Sequence, residues 1–394
     1  MVETVRDTGD LQSKEVLGDN FSVEVVEIAG VRGPCAGVNS ALETTFEVLN
    51  IVNGREKVYA NHQIVHNKLI SDELKKLGLV IEEDIEKIPD GAIRITSAHG
   101  RTKADKLRAK DKGFLDIETT CRLVENVADA AIEAVGEGKH VLYFGAENHP
   151  EPKAVLSRLP RDSFTFIDHD TEIEAPILTK KVKIYGEHGV EIGEERVLFE
   201  SLQDFVSLNQ TTLSTVGIMK KIEQLREANP HLDIPNPTGI CYAADNRQNA
   251  IRERLRNDNE EKIDMVIIGG TYKVSHNTTE MGNITEEEEF KKLGVGSHVI
   301  DTPDQIDPTW LTPDIKRLLI SSGASVLDEY LWEIVRYFTD RGAKVKFLPN
   351  SETKPVIDPE TGEPKINPET GEIIYKKAIF PKPDLTALHE RYMN

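Results

Sequence analysis

Three cysteines are the residues of this chain best suited to chemistry. Each follows an extended run and opens a helical pattern: Cys35 in GPCAGV, Cys121 in TTCRL and Cys241 in GICYA. Free N–H groups and the macrodipole at a helix N-terminus stabilise negative charge, so this position is expected to lower a cysteine pKa and favour the thiolate. Three thiolates at equivalent junctions predict a metal site.

The number and spacing of the cysteines narrow the kind of metal site. The chain has three cysteines and no close pair, which does not fit a disulfide framework or a zinc finger. Three thiolates match a [4Fe-4S] cluster in which one iron lacks a protein ligand, and such an open iron can act as a Lewis acid. Two alternatives stay open: a zinc site of three cysteines and one histidine, and three buried, inert cysteines.

A second group of candidates lies in turns between a strand and a helix. A protonated imidazole beside helical N–H donors suits a phosphate, and short serine and asparagine side chains offer neutral donors. Each residue alone would be an ordinary helix cap, but the set together predicts an anion-binding site. The six residues are His66, His99, His149, Ser275, Asn277 and Ser325.

Glu151 is the candidate proton donor. It follows the turn His149-Pro150, where a carboxylic acid could deliver a proton with Thr211 or the substrate as the relay. The alternative is a glutamate in the first turn of a helix, which stabilises the helix through its charge.

These residues must be positioned by three similar α/β units, because ligands of parallel α/β sheets bind at the carboxyl ends of strands. We predict a first unit at 21–120, whose first strand could complete the third unit, a second at 121–240 and a third at 241–349. Residues 1–20 are expected to be a loosely held extension. Residues 170–200 are expected to form an acidic surface excursion, and 350–394 a tail with a hairpin at its duplicated PETGE phrase.

Composition and charge bound the function. The chain has 394 residues, 38% of them hydrophobic and 29% charged, as in soluble globular proteins. No apolar run has the length of a membrane helix, and the N-terminus is polar, so we expect a cytoplasmic protein without a membrane partner. The net charge of -20 argues against nucleic-acid binding and requires a local donor-rich pocket for any anionic substrate.

Seven phrases together resemble one family. GPCAGV, HQIVHN, SAHG, NHPE, QTTLS, GICYAADNRQ and GAS occur in this order over roughly residues 25–345, and the order is similar to that of the 4-hydroxy-3-methylbut-2-enyl diphosphate reductases, the IspH/LytB family. The resemblance implies a three-lobed, pseudo-threefold α/β fold around a central [4Fe-4S] cluster bound by Cys35, Cys121 and Cys241. It implies an iron-sulfur oxidoreductase that makes isopentenyl and dimethylallyl diphosphates in the last step of the methylerythritol phosphate pathway.

The resemblance also implies roles for individual residues. His149, Thr211 and Glu151 would lie near the substrate hydroxyl. One departure is His276, which stands where the family usually has a second serine; it would add a positive donor to the diphosphate or crowd the site. The residues implied for the diphosphate pocket are His66, His99, Ser275, Asn277 and Ser325.

The implied reaction needs a one-electron donor such as ferredoxin or flavodoxin, which are usually acidic. A basic segment offers the clearest docking face, although a solvated helix face explains it equally well. Two other functions remain: a non-redox hydro-lyase acting on a different phosphorylated substrate, which would need no reductant, and an iron-sulfur sensor, which would need no phosphate donors. The basic residues are Arg101, Lys103, Lys106, Arg108, Lys110 and Lys112.

Overall fold

A computed structural model describes most of the chain between Phe21 and Met393. The predicted extension at 1–20 lies outside the described residues, as do parts of the 170–200 excursion and of the tail. The described residues are 21–169, 171–173, 178–185, 191–198, 205–238, 241–257, 259–350, 356, 358, 365–368, 373–374, 380 and 382–393.

Fourteen strands and eleven α-helices are found in these residues. In chain order the strands are β1 Val25–Ile28, β2 Val58–Ala60, β3 Leu79–Ile81, β4 Ile93–Thr96, β5 Leu115–Glu118, β6 His140–Gly145, β7 Phe164–Asp168, β8 Thr179–Tyr185, β9 Glu191–Leu198, β10 Phe205–Asn209, β11 Met265–Gly269, β12 Gly296–Ile300, β13 Arg317–Ser322 and β14 Lys344–Phe347. The helices are α1 Ala36–Val52, α2 Lys68–Lys76, α3 Lys103–Asp111, α4 Arg122–Gly136, α5 Pro150–Leu156, α6 Thr215–Ala228, α7 Tyr242–Arg256, α8 His276–Asn283, α9 Glu288–Lys291, α10 Asp328–Thr339 and α11 Thr386–Met393.

The chain divides into two compact units. The first consists of Met1–Pro34 and Asn246–Lys377, and the second of Cys35–Asp245 and Ala378–Asn394. Within the described residues, the first unit contains one parallel sheet and the second contains two. The predicted α/β class, with three small parallel sheets, is confirmed.

The sheet of the first unit has five parallel strands in the order β12-β11-β13-β1-β14. The earliest strand of the chain therefore lies between two late ones, with Val25 opposite both Arg317 and Lys344. Strand β11 is buried along its whole length and β13 nearly so, as expected for parallel strands that helices cover on both faces. The turns after β1, β11 and β13 lie at one edge of this sheet.

Glu27 is a charged residue in the middle of this sheet. Its side chain is fully buried, and its carboxylate accepts hydrogen bonds from Arg254 Nε at 2.5 Å and from Arg317 Nη1 at 2.9 Å. Burial by itself raises the pKa of Glu27, but the hydrogen bond and charge of Arg254, with the charges of Lys346 and Arg317, outweigh burial and lower that pKa. The carboxylate thus fixes β1 to α7 and β13.

Replacing Glu27 should destabilise the first unit strongly. Glu27→Ala leaves the buried guanidinium of Arg254 without its partner, so we expect a loss of about 3 kcal/mol in the free energy of unfolding, measured by urea denaturation. Glu24→Ala is the matched control, because Glu24 is exposed and only pairs with Lys316 at 3.4 Å; its loss should stay below about 1 kcal/mol. Equal losses for the two variants would contradict this account.

The second unit contains two parallel sheets, β3-β2-β4-β5 and β10-β6-β7. Helix α4 covers the three-stranded sheet with an apolar stripe that includes Val124, Val127, Ala128 and Ala131, the 3–4 residue spacing of one helix face. The stripe packs on Val141 and Tyr143 of β6 and Leu208 of β10. These parallel sheets bring the turns after β2, β4 and β5 to one edge and those after β6 and β10 to another.

Two further features belong to the second unit. Strands β8 and β9 pair antiparallel within the predicted 170–200 excursion. Helix α11 packs against α1, buries Leu388 and pairs Arg391 with Glu56 at 2.9 Å. None of the helices in the described residues is long and apolar enough to cross a membrane.

Part of the predicted tail, up to Lys377, belongs to the first unit. There, Ile366 and Ile373 form an antiparallel bridge on either side of the second PETGE phrase.

Candidate functional site

The three cysteines belong to the second unit, and each lies directly before a helix. Cys35 precedes α1, Cys121 precedes α4 and Cys241 precedes α7, and all three are partly buried. Backbone hydrogen bonds fix these positions: Cys121 N donates to Ala98 O at 3.0 Å, and Thr238 N donates to Ser207 O at 3.0 Å, which aligns the segment before Cys241 with β10. The three thiols lie close enough to interact electrostatically.

The expectation of a lowered cysteine pKa at a helix N-terminus is wrong for Cys121 and Cys241. Burial raises the pKa of Cys121 and of Cys241 to about 12, and the neighbouring cysteines raise both further. Backbone N–H groups at Leu123, Val124 and Ala243 act in the opposite direction but are outweighed. A positively charged metal centre would stabilise the thiolate forms of Cys121 and Cys241, so this donor set fits a metal cofactor.

The spacing of the sulfur atoms bears on the zinc alternative. Among the described residues, the histidine, cysteine and carboxylate ligand atoms that lie within 4.8 Å of one another in a group of three are those of His66, His99 and His149. The three cysteine sulfurs do not form such a group, although zinc–sulfur bonds of about 2.3 Å would require sulfurs roughly 4 Å apart. Among the described residues, this criterion therefore does not select the three thiols as a single-zinc site.

Gly37 creates the space that Cys121 occupies. A Cβ atom at Gly37 would lie 2.5 Å from Cys121 Sγ and 3.7 Å from Phe380 Cε2. Gly37 is the second residue of α1, where alanine would otherwise be the better helix former. The glycine of GPCAGV thus keeps the Cys121 sulfur in position.

Gly37→Ala should therefore displace the Cys121 thiol and reduce metal loading. We expect iron per chain to fall at least about fivefold while the far-ultraviolet spectrum is retained, because the added methyl group displaces one sulfur ligand. Gly136→Ala is the control: Gly136 also lies in a helix, and its Cβ would meet nothing within 4 Å. Full iron content in Gly37→Ala would contradict the assigned position of Cys121.

The structure brings His66, His99 and His149 together in the second unit. The rings of His66 and His99 have centroids 4.2 Å apart, and His149 lies 5.1 Å and 5.2 Å from them. His66 and His149 share a hydrogen bond between their Nε2 atoms at 3.1 Å. The three rings come from turns after β2, β4 and β6, and thus from both sheets of this unit.

The protonation of this cluster differs from the expectation. Burial, with the charge of His62, lowers the pKa of His66 to about 4; burial and the neighbouring imidazoles lower the pKa of His99 well below its ordinary value. The two rings are therefore neutral at pH 7, because a buried cluster of imidazoles disfavours positive charge. Their protonation requires an anion that restores the charge balance.

The hydrogen bonds define the neutral form of His149. Its Nδ1 accepts a hydrogen bond from Glu151 N at 3.2 Å, so the ring proton is on Nε2 and is donated to Nε2 of His66. His66 in turn carries its proton on Nδ1. The Nδ1 atom of His99 is buried and has no hydrogen-bond partner within the described part of the protein, as expected of a group that awaits a ligand.

Glu151 and Thr211 form a buried pair beside this cluster. Glu151 is completely buried, and Thr211 donates to it twice: from N to Oε1 at 2.7 Å and from Oγ1 to Oε2 at 2.9 Å. Burial raises the pKa of Glu151 to about 7, although both hydrogen bonds lower it. Near neutral pH the carboxyl group therefore exists in both its acid and its base form, as a proton donor requires.

The raised pKa of Glu151 predicts a pH-dependent stability. The folded protein favours the protonated carboxyl, so the group costs stability progressively as pH rises from about 4.5 through about 7 and no more above that range. Glu151→Gln cannot titrate. Its stability relative to the wild type should therefore increase by about 3 kcal/mol over this range, measured by urea unfolding. A difference that does not vary with pH would contradict the assigned pKa.

The remaining predicted residues lie in the first unit. Ser275 caps α8 by accepting a hydrogen bond from Thr278 N, and His276 and Asn277 form the first turn of that helix. Asn277 is 6% exposed, and neither polar atom of its amide has a partner in the described structure. An unpartnered buried amide indicates a site for a polar ligand.

The turn that carries Ser325 packs against this helix. Gly323 N donates to Gly269 O at 3.1 Å, and a Cβ at Gly323 would lie only 2.1 Å from Thr278 Oγ1. Because the glycine lacks this atom, the Ser325 turn approaches α8 closely. The predicted first-unit residues thus lie on two turns in contact.

Sequence reasoning missed two residues that build the histidine cluster. Asn61 joins its two turns: its Oδ1 accepts from Ser97 N at 2.7 Å and its Nδ2 donates to Gly100 O at 3.1 Å. His62 lies 5.8 Å from His66 and pairs with Glu83 at 2.8 Å. Both residues directly follow β2, and this position could have identified them as candidates for the site.

The predicted basic docking face is partly wrong. Arg101 is buried and pairs with Asp116 and Glu118, and Arg108 and Lys112 pair with Glu86 and Asp90. These three residues balance acidic neighbours. Lys103, Lys106 and Lys110 are exposed on α3.

Comparison with known proteins gives one consistent result. The model of the LytB protein family matches residues 26–339. The 4-hydroxy-3-methylbut-2-enyl diphosphate reductase of Chromohalobacter salexigens is 30% identical over 319 residues, which cover 81% of this chain and 90% of that protein. The reductase of the same name from Acinetobacter baumannii is 30% identical over 322 residues, or 82% and 92%.

Solved structures share the fold. The structure of E-1-hydroxy-2-methyl-but-2-enyl-4-diphosphate reductase from Plasmodium falciparum aligns with a TM-score of 0.67 at 24% identity and covers 84% of this chain and 94% of that one. A second structure, of the (E)-4-hydroxy-3-methyl-but-2-enyl diphosphate reductase that its description calls the terminal enzyme of the non-mevalonate pathway, aligns with a TM-score of 0.54 at 24% identity. It covers 81% of this chain and 99% of that chain.

Proposed function

Because this chain belongs to the LytB protein family, we propose that it converts (E)-4-hydroxy-3-methylbut-2-enyl diphosphate to isopentenyl and dimethylallyl diphosphates. The reaction is a reductive dehydration, the last step of the methylerythritol phosphate isoprenoid pathway. The curated relatives carry the name of this reductase and match over about four-fifths of the chain.

The observation that carries this function is the content of the second unit. Three thiols that can bind a metal centre, a cluster of three imidazoles and a buried carboxyl with a pKa of about 7 all lie within it. Cys35, Cys121 and Cys241 would hold a [4Fe-4S] cluster with one iron free of protein ligands. When bound, this cluster supplies electrons and a Lewis-acidic position.

The histidines would bind the diphosphate and respond to its charge. His66 and His99, whose pKa values are lowered, would be neutral before binding, and an anion beside them and His149 would raise these pKa values and favour the imidazolium form. In the first unit, Ser275, Asn277 and Ser325 would offer neutral donors to a polar ligand, and His276 would offer a further nitrogen donor. Each of these residues would bind the ligand by hydrogen bonds or by charge, without taking part in bond breaking.

Glu151 would supply the proton that lets water leave. In its protonated form the carboxyl donates from Oε2 to Thr211 Oγ1, and the threonine hydroxyl then donates its own proton to the leaving hydroxyl group. The geometry allows this relay because Thr211 Oγ1 lies 2.9 Å from Glu151 Oε2. Thr211 N holds the other oxygen of the carboxyl in place.

The proton relay predicts a selective loss of turnover. Glu151→Gln cannot deliver the proton, so we expect the rate of product formation with dithionite to fall by about 10²-fold or more while iron content stays at the wild-type level. Glu147→Gln is the matched control, because Glu147 is exposed in the turn that precedes α5. Undiminished turnover in Glu151→Gln would remove Glu151 from the mechanism.

A non-redox hydro-lyase with another phosphorylated substrate is the second candidate function. His276 stands where the resembling family usually has a serine. The substrate preferred by this chain should therefore be tested directly. A hydro-lyase would convert its substrate without reductant, whereas the reductase stops when dithionite is omitted. An iron-sulfur sensor would leave the buried donors of His99 and Asn277 without a purpose.

Electrons would come from a one-electron carrier of the ferredoxin or flavodoxin type. The reaction consumes two electrons, and among the described residues no flavin or nicotinamide motif accompanies the cysteines. A cytoplasmic location completes the proposal, supported by the composition of the chain.

A further inference from the structure

Three exposed lysines and one exposed leucine share one face of α3. Lys103, Lys106, Leu107 and Lys110 are spaced three or four residues apart, so they project to one side of the helix. Leu107 is 58% exposed, and the opposite side carries the buried Ala109. Within the described residues none of these lysines has a carboxylate within 4 Å.

This face continues onto two neighbouring helices. Lys103 N donates to Ser157 Oγ at 2.9 Å, which places the start of α3 against the end of α5. Exposed Lys153 lies on α5 and exposed Arg122 opens α4. Lys106 and Arg122 each lie close enough to Glu125 to lower the pKa of its carboxyl. The term docking surface is used below for six exposed residues: Lys103, Lys106, Leu107, Lys110, Arg122 and Lys153.

The docking surface adjoins an opening to one cluster cysteine. A cavity of about 280 Å³ is lined by Cys121, Arg122, Glu125 and Gly37, and also by Phe380 and Pro383 near the C-terminus. The two carboxylates that line it are each held by an arginine: Glu125 pairs with Arg158 at 2.7 Å and Glu118 with Arg101 at 3.2 Å. Arg101 is shared with Asp116, so the charges around this cavity are close to balanced, and the positive charge of the docking surface lies on the exposed lysines of α3.

Resting on the proposed function, we propose that an acidic one-electron carrier protein binds the docking surface and delivers its electrons at Cys121. The chain has a net charge of -20, so an acidic partner is repelled by most of its surface and is steered to a local cationic region. Leu107 provides the apolar centre that interfaces of this kind place inside a charged rim.

The number of electrons consumed in the reaction sets how many carrier molecules must bind the docking surface in each turnover. Each turnover oxidises two reduced carriers by one electron each, consumes two protons, breaks the carbon–oxygen bond of the substrate and releases water. Carriers therefore bind and leave twice in each cycle. A charged rim with a small apolar centre suits this exchange, because electrostatic steering raises the association rate without a slow dissociation.

Charge reversal on α3 tests the docking surface. Lys103→Glu with Lys106→Glu places acidic residues in the first turns of α3, where the helix dipole favours them, so the fold is retained. The control pair is Lys57→Glu with Lys220→Glu, which changes two exposed lysines of the same unit elsewhere. Binding of the cluster-loaded enzyme to a flavodoxin and to a ferredoxin is measured by calorimetry at about 20 mM and about 150 mM salt.

We expect the α3 pair to weaken carrier binding about tenfold at low salt and less at high salt, while the control pair binds like the wild type. Carrier-dependent turnover should fall, and dithionite-dependent turnover should not change. Absence of carrier binding by the wild type, equal effects of the two pairs, or equally tight binding of a single-stranded DNA would overturn the proposal. If dithionite drives no conversion, the proposed function fails, but the binding data still decide the docking surface.

Discussion

The burial of three thiols at neighbouring helix N-termini is the constraint on which the site depends. Helical N–H groups favour thiolates, but burial and mutual repulsion raise the pKa of Cys121 and Cys241 to about 12. Ionisation of Cys121 and Cys241 is therefore unfavourable in this buried environment. A metal centre resolves this conflict, because its charge stabilises all three thiolates at once.

The same burial sets the chemistry of the groups around the thiols. It raises the pKa of Glu151 and lowers those of His66 and His99, so each of these groups moves toward its neutral form. Under the proposed function, the charge of a bound diphosphate would favour protonated imidazoles, and Glu151 would keep a proton available near pH 7. Substrate binding and proton supply are thus linked through one low-dielectric environment.

Much of this fold follows from local sequence. Strands such as β2, β4, β6 and β11 are short apolar runs that end in polar turns, and the cysteine and histidine positions follow from those ends. Strand β1 could be found from its alternation, but its place between β13 and β14 depends on pairing across nearly 300 residues, with Glu27 held by Arg254 and Arg317. Local patterns contain no record of such a partner.

The pKa values and charge pairings could not be predicted from the sequence, because they depend on which groups are buried together. The position of a helix N-terminus predicted a lower cysteine pKa, and only the packed structure shows that desolvation outweighs it. Arg101 resembled a surface cation, yet β5 brings Asp116 and Glu118 to it. Asn61 joins two turns that lie far apart in the chain. In each case the deciding neighbour is distant in sequence and close in space.

The most direct test of the central claim is the metal content of the protein purified without oxygen, with conversion of (E)-4-hydroxy-3-methylbut-2-enyl diphosphate followed in the same sample. The account predicts about four iron and about four sulfide per chain, and product formation that requires dithionite. Zinc in place of iron would contradict the reading of the three thiols. A full cluster without conversion would contradict the proposed substrate and identify the turn at His276 as the first place to look for another.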